Sequence, residues 1–417
     1  MTDTTREAAE ALDALDPLGG FRDRFVLDEE VVYLDGNSLG RLPASTPGRL
    51  RHAVEEEWGR GLIRSWSGWV TLSREVGDLI GTRVLDARPG EVVLSDSTTV
   101  NLYKLAVAAL DARPGRRVLV TDDDNFPSDL YVFGGLARQR DLELRIVPAD
   151  PDEGLDLDAL RRAVDSGVAL VSLSHVAYGS GALADMEAVT RIAHDTGALV
   201  LWDLSHAAGS VPVPLTASGA DLAVGCTYKY LGGGPGAPAF LYVREELQAD
   251  LRQPIWGWFG QADQFALGPE YDPVPGIDRF CVGTPSVLGA YAVAEGAGIV
   301  AEAGIAPLRA KAVAMTSYLV DLADAVLAPL GFTVASPRDP ARRGAHVSLR
   351  HSEAWQLCQA LVASGVVPDF RTPDRLRIGP APLYTRYADV WDGVERLRAI
   401  AGAGEHRAYP AERSRVT

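Results

Sequence analysis

The chain is 417 residues long, 47% hydrophobic and 23% charged, and its 40 Lys and Arg against 56 Asp and Glu leave a formal charge of −16. That length allows two or three folding units, and the composition excludes both a disordered chain and a fibrous repeat. The negative charge, with no Lys/Arg-rich run, excludes nucleic acid or an anionic membrane as the main partner, so an anionic ligand has to be met by local donors.

The opening "MTDTTREAAEALDALDPLGG" is acidic and lacks the apolar core of a secretory signal, and no later stretch offers about 18 uninterrupted apolar residues. A cytoplasmic protein is expected. Residues 1–50 are expected to form a segment that packs on the smaller C-terminal domain and the site. From residue 91 to 243, "EVVLS", "RRVLVT", "LELRIVP", "GVALVSLS", "GALVLWD" and "ADLAVGCT" read as strands, apolar at nearly every position as a parallel sheet covered on both faces requires. Between them, "TTVNLYKLAVAALDA", "PSDLYVFGGLARQ", "LDALRRAVDSG" and "DMEAVTRIAHDTG" repeat apolar residues three and four apart and read as helices. The repeated β-α-β order implies an open α/β sheet.

After it come the Ala-rich helical stretches "TPSVLGAYAVAEGAGIV" and "LRAKAVAMTSYLVDLADAVLAPLG", then strand-like "GFTVAS", "AHVSLR" and "RLRIGPAP". The expected division is a large domain over 51–288 and a smaller α+β domain over 289–417. Cys226, Cys281 and Cys358 lack C-x-x-C spacing and the seven histidines form no H-E-x-x-H pair, so neither a disulfide framework nor a metal site is expected.

Ligands of open parallel sheets sit beyond the carboxyl ends of the strands. Those positions carry "SDSTTVN", "DNFPSD", "SLSHVAYGSG", "DLSHAAG" and "TYKYLGGGPG". The hydroxyls of "STTVNLYKL" suit a phosphate at a helix mouth, or serve as an ordinary cap. Asp203, ending the apolar "ALVLW", needs a cationic or hydrogen-bonding partner and is otherwise a turn aspartate. Phe126 offers a flat face or simple packing. Lys229 follows a buried strand, where a low dielectric depresses an amine's pKa and makes it nucleophilic; alone, a lysine at a strand end is more often only a solvated charge. Phosphate donors, a flat ring, a buried carboxylate and a deep lysine are together what pyridoxal phosphate requires.

The motifs "YLDGNSLG", "EEWGRGLIRSW", "TTVNLYKL", "NFPSD", "DLSHAAG", "TYKYLGGGPG", "GWFGQ" and "RLRIGPAPLYT" run nearly from end to end, and with them the chain resembles the kynureninase family, fold-type I pyridoxal-phosphate enzymes of the class V aminotransferase group. The resemblance implies a large domain with a mainly parallel seven-stranded sheet, a smaller α+β domain, and hydrolytic Cβ–Cγ cleavage of L-kynurenine or a ring-substituted analogue to anthranilate and L-alanine. It implies that Lys229 forms the imine with the cofactor and moves the α-proton, that Asp203 pairs with the pyridinium nitrogen with His206 beside it, and that Phe126 stacks on the ring with Asp129 near it. Thr98, Thr99, Ser174 and Tyr228 are implied around the phosphate, with Tyr228 as proton donor. Trp258 and Thr284 are implied to reach it from the other subunit of a homodimer. Arg377 would clamp the substrate α-carboxylate and Asn37 and Ser38 would line the substrate pocket.

Trp58, Trp66 and Trp69 are expected in the core or an interface, with a place beside an aryl substrate as the alternative. Gln261 stands after "GWFG" where the family pattern has histidine, and Thr284 where animal relatives have asparagine, in a context that matches bacterial members. Two other readings compete. A cysteine desulfurase or selenocysteine lyase of the same fold would need a mobile, exposed cysteine. A non-enzymatic cofactor-binding paralogue with a DNA-binding extension would need a basic terminal domain.

Overall fold

A two-residue strand, β1 (Val32–Tyr33), precedes the seven strands of the central sheet in the computed structural model, which describes residues 4–266 and 268–412. These are β2 (Val92–Leu94), β3 (Val118–Asp122), β4 (Glu143–Val147), β5 (Val168–Ser174), β6 (Leu199–Asp203), β7 (Leu222–Gly225) and β8 (Phe240–Val243). Their spatial order is β2-β8-β7-β6-β5-β3-β4, and only β8 runs against the others. Along β6, Leu199 and Leu201 face one layer of core while Val200 and Trp202 face the other, all fully buried. Burial on both faces explains why the run is apolar throughout, each such side chain contributing about 1.5–3 kcal/mol.

Two elements depart from the sequence reading. β4 lies at the sheet edge, with Ile146 half exposed and Arg145 paired to Glu143 and Asp165, so only Val147 is fully buried and the strand is not covered on both sides. β8 was not anticipated as a strand. It returns antiparallel beside β7, pairing Gly225 with Phe240, and so makes 226–239 a loop projecting from the carboxyl end of β7.

Helices cover the sheet where the spacing of apolar residues predicts them: Thr98–Asp111, Pro127–Arg140, Leu157–Ala163 and Met186–Asp195. Thr98–Asp111 is capped by Ser97, whose Oγ accepts from the Val100 amide at 3.4 Å, and it buries Leu102, Leu105, Ala106 and Ala109. Pro127 starts its helix at the first position, where a missing N–H costs nothing.

The helices Val287–Ala303 and Ile305–Leu322 lead to a second, antiparallel sheet ordered β12-β13-β10-β9, formed by β9 (Thr333–Val334), β10 (Val347–Arg350), β12 (Asp369–Arg371) and β13 (Arg375–Ile378). Before β12, β11 (Val366–Val367) pairs in parallel with β1, so the N-terminal segment is fastened to this part of the chain. Gly36 and Gly379 extend the join, with Gly36 N donating to Gly379 O at 3.0 Å and Gly379 N to Leu34 O at 2.7 Å.

By length and composition the helical run Ile305–Leu330 could cross a membrane. Here Leu308, Ala312, Met315, Leu319 and Leu322 are buried in the core and Lys311 within it pairs with Asp16 at 2.6 Å.

Candidate active site

One cavity of about 610 Å³ opens where the parallel strands of the large sheet end. Beyond β2 it is lined by Thr98 and Thr99 in the first helical turn, beyond β3 by Phe126 and Asp129, and at the end of β5 by Ser174. Asp203 and His206 line it after β6, Tyr228 and Lys229 after β7, and Thr284 closes it from the loop ahead of the long helix. Ten residues singled out from sequence therefore meet in one space.

The loop 226–239 holds Lys229 in place by its own backbone: Gly233 N donates to Thr227 O at 2.9 Å, Gly232 N to Lys229 O at 3.0 Å, and Thr227 Oγ1 to Pro238 O at 2.7 Å. Two glycines from distant segments press against it. Gly40, the last residue of "YLDGNSLG", donates to Tyr228 O at 2.8 Å, and a Cβ there would collide with the Lys229 carbonyl. A Cβ on Gly296 of the long helix would meet the Leu231 carbonyl. This packing explains why the N-terminal motif and the lysine motif occur together.

Lys229 Nζ is buried, 2.6 Å from His206 Nε2 and 6.0 Å from the centre of the Phe126 ring. Burial pulls the amine below its ordinary pKa and, with Lys229 beside it, pulls His206 well below that of a free imidazole. The pair thus favours an unprotonated amine, the nucleophilic form. Across the cavity, burial pushes both Asp129 and Asp203 up. Asp129 rises furthest, because the charge of Asp203 adds to its burial, while Asp203 accepts from the Ser205 amide at 2.7 Å and so keeps the charge. Of the two carboxyls, Asp203 is the one whose anion is the more favoured, which suits a protonated ring nitrogen.

The polar loop after β3 is tied down in turn. Ser174 Oγ donates to Asn125 Oδ1 at 2.7 Å, the Phe126 amide donates to the same oxygen at 2.9 Å, and Phe126 meets Tyr178 edge-on at 5.2 Å.

Four other expected residues lie outside the cavity lining. Arg377, almost fully buried, donates from Nη1 to the Tyr178 carbonyl at 2.6 Å and from Nη2 to Ser38 Oγ at 3.1 Å. It also pairs with Asp369, its direct cross-strand partner, while Ser38 Oγ donates to that carboxylate at 3.0 Å. Asn37 is fully buried with neither side-chain polar atom partnered. Trp258 is 39% exposed and stacks on Trp66 at 5.9 Å, and Trp69 Nε1 donates to Glu57 at 2.8 Å, whereas Trp58 is exposed.

Sequence reasoning passed over Ser95, Asp96 and Ser205, which line the cavity, Lys104, which braces it, and Asp369 and Arg371, the first of which holds Arg377 and the second of which pairs with the first. Ser95, Asp96 and Ser205 stood in the quoted loops. The other three carried no local signal, since their partners are far away in the chain.

The cavity's donor set fits pyridoxal phosphate: an amine with a depressed pKa, a carboxylate pair, a flat ring, and hydroxyls at a helix mouth. Residues 308–397 match the family described as "Kynureninase C-terminal domain". Kynureninase of Pseudomonas fluorescens is 45% identical over 405 residues, covering 95% of both chains.

Among solved structures, the apo cysteine desulfurase of Thermococcus onnurineus NA1 superposes with a TM-score of 0.80 at 20% identity, over 92% of this chain and 98% of that one. A C-DES variant with glycine covalently linked to its PLP cofactor gives 0.78 at 16%, over 90% and 98%. The fold is that of fold-type I pyridoxal-phosphate enzymes. Within that class, the chain belongs to the kynureninase family.

Proposed function

We propose that the protein hydrolyses L-kynurenine, or its 3-hydroxy or another ring-substituted form, to an anthranilate and L-alanine with pyridoxal phosphate carried on Lys229. The observation that carries the reading is the buried Lys229 amine in one cavity with the Asp129–Asp203 pair and the Thr98–Thr99 helix mouth, in a chain 45% identical to a kynureninase. When bound, the cofactor supplies a sink for the electrons released at the substrate's α- and β-carbons.

The chain's own residues do the rest. Lys229 Nζ moves the proton at the α-carbon, and the neutral His206 beside it accepts or returns one. With the cofactor bound, Asp203 would keep its ring nitrogen protonated, Phe126 would cover the ring, and Thr98, Thr99 and Ser174 would hold the phosphate. Tyr228, whose phenol burial pushes upward, keeps its proton at neutral pH and delivers it to the β-carbon that becomes the methyl of alanine. Arg377 receives the substrate carboxylate at the Ser38 and Asn37 side of the site, a role favoured by the unpartnered amide of Asn37.

A homodimer completes the site in this reading, with Trp258, which lies outside the lining of its own chain's cavity, serving the neighbouring subunit, whereas Thr284 lines the cavity of its own chain rather than reaching across as the resemblance implied. The half- to mostly exposed Trp58, Ile63, Trp256 and Phe265 form apolar surface fit to be covered by a second copy. We infer a division at about 50 and 288, with residues 1–50 bridging the two larger units.

Purified protein should show a visible absorbance band that borohydride bleaches, with the added mass on the peptide containing Lys229. Incubation with L-kynurenine should release a fluorescent aromatic amine and alanine in equal amounts. Cofactor uptake with neither product would retire the kynurenine reading and leave the cofactor reading standing. The desulfurase alternative has no exposed thiol to work with, since Cys226, Cys281 and Cys358 are all buried.

A further inference from the structure

Beneath the floor of the cavity lies a lysine for which the proposed chemistry has no use. Lys104 sits on the helix Thr98–Asp111 and is fully buried. Its Nζ donates to Ser95 Oγ at 2.9 Å, to Asp96 Oδ2 at 2.6 Å and to the Phe280 carbonyl at 2.8 Å, so each of the three ammonium hydrogens has an acceptor.

Those acceptors belong to two walls of the cavity. Ser95 and Asp96 follow β2 just ahead of Thr98 and Thr99, and Asp96 takes a left-handed backbone, φ +41°, a conformation that aspartate adopts more readily than most side chains. Phe280 immediately precedes Cys281–Ser286, the segment that lines the opposite side. Ser95 Oγ donates onward to Asp96 Oδ2 at 2.8 Å, which closes the network.

Asp96 would otherwise be a liability, because a bare carboxylate beside a helix mouth repels any phosphate that approaches it. The ammonium of Lys104 cancels that charge from behind, out of water, where screening is weak.

We propose that Lys104 is a positioning residue for the phosphate end of the site: it neutralises Asp96 and ties the Ser95–Thr99 wall to the Phe280–Thr284 wall, so that the cup accepts an anion. The inference rests on the pyridoxal-phosphate reading.

The test compares pyridoxal phosphate with pyridoxal, which lacks the phosphate, by absorbance titration of cofactor-stripped protein. In Lys104→Met the dissociation constant for pyridoxal phosphate should rise about 10- to 100-fold, while that for pyridoxal changes by less than about 3-fold. Adding Asp96→Asn to that variant should restore most of the loss. Asp96→Asn alone, which keeps Lys104 paired to Ser95 and Phe280, should bind pyridoxal phosphate at least as tightly as the natural chain.

Equal weakening for both ligands would overturn the proposal, as would a double variant no better than the single. If Lys104→Met does not fold, weaker pyridoxal phosphate binding in Asp96→Asn overturns it on its own. A natural chain that takes up neither ligand refutes the cofactor reading, and the proposal with it.

Discussion

Replacing Asp122 by asparagine should stabilise the protein, and more so as pH rises. Asp122 ends β3, ahead of the loop that carries Phe126 and Asp129; it is 7% exposed and its Oδ1 has no partner. Burial first, then the charges of Asp124 and Asp123, pushes its carboxyl up to about 7 from 3.8. An acid whose pKa is raised by folding contributes stability fully below the unfolded value and loses it as pH climbs through the folded one. At about 1.4 kcal/mol per pH unit, the cost of ionising Asp122 is about 2 kcal/mol at pH 5.5 and about 4 kcal/mol at pH 8.5.

Asp122→Asn removes that cost and can still accept a backbone hydrogen bond. Urea unfolding of both proteins at the two pH values should show the variant ahead by margins that widen by about 2 kcal/mol. A margin independent of pH, or a variant less stable at pH 8.5, would refute the argument that the charge is what costs.

Further outcomes follow from the same geometry. Gly40→Ala should lose activity and about 1–3 kcal/mol of stability, because its methyl meets the Lys229 carbonyl; thermal melting and turnover read this together, and unchanged turnover would contradict the close packing. Arg377→Lys should raise the substrate KM about 10- to 100-fold with a smaller effect on kcat, since one ammonium cannot hold Asp369, Ser38, the Tyr178 carbonyl and a carboxylate at once. A kcat loss with KM unchanged would count against a substrate-clamping role. Cys358→Ser should leave turnover within about 3-fold in steady-state assays, because the thiol is buried in a helix and burial pushes it up to about 12. Abolished turnover would favour sulfur chemistry.

What the amino-acid order determined by itself was local. Runs apolar at every position made β5 and β6 buried strands, periods of three to four made their covering helices, and the small and polar residues after each strand marked the cavity rim. Lys229 was legible because it follows such a run directly, and "DLSHAAG" because it ends another.

Only the tertiary structure decided what depends on segments far apart in the chain. The reversed β8 and the edge position of β4 came from strand order, which hydrophobic pattern does not encode. The depressed pKa of Lys229 needs the walls that exclude water from it, and Gly40 supplies contact there from nearly two hundred residues earlier. Lys104 reads in sequence as one more helix residue; it becomes a bridge because folding brings the Phe280 carbonyl within 2.8 Å of it. The cross-strand register that sets Asp369 opposite Arg377 was invisible for the same reason: desolvation and long-range pairing are properties of the packed chain, while periodicity and capping belong to neighbours along it.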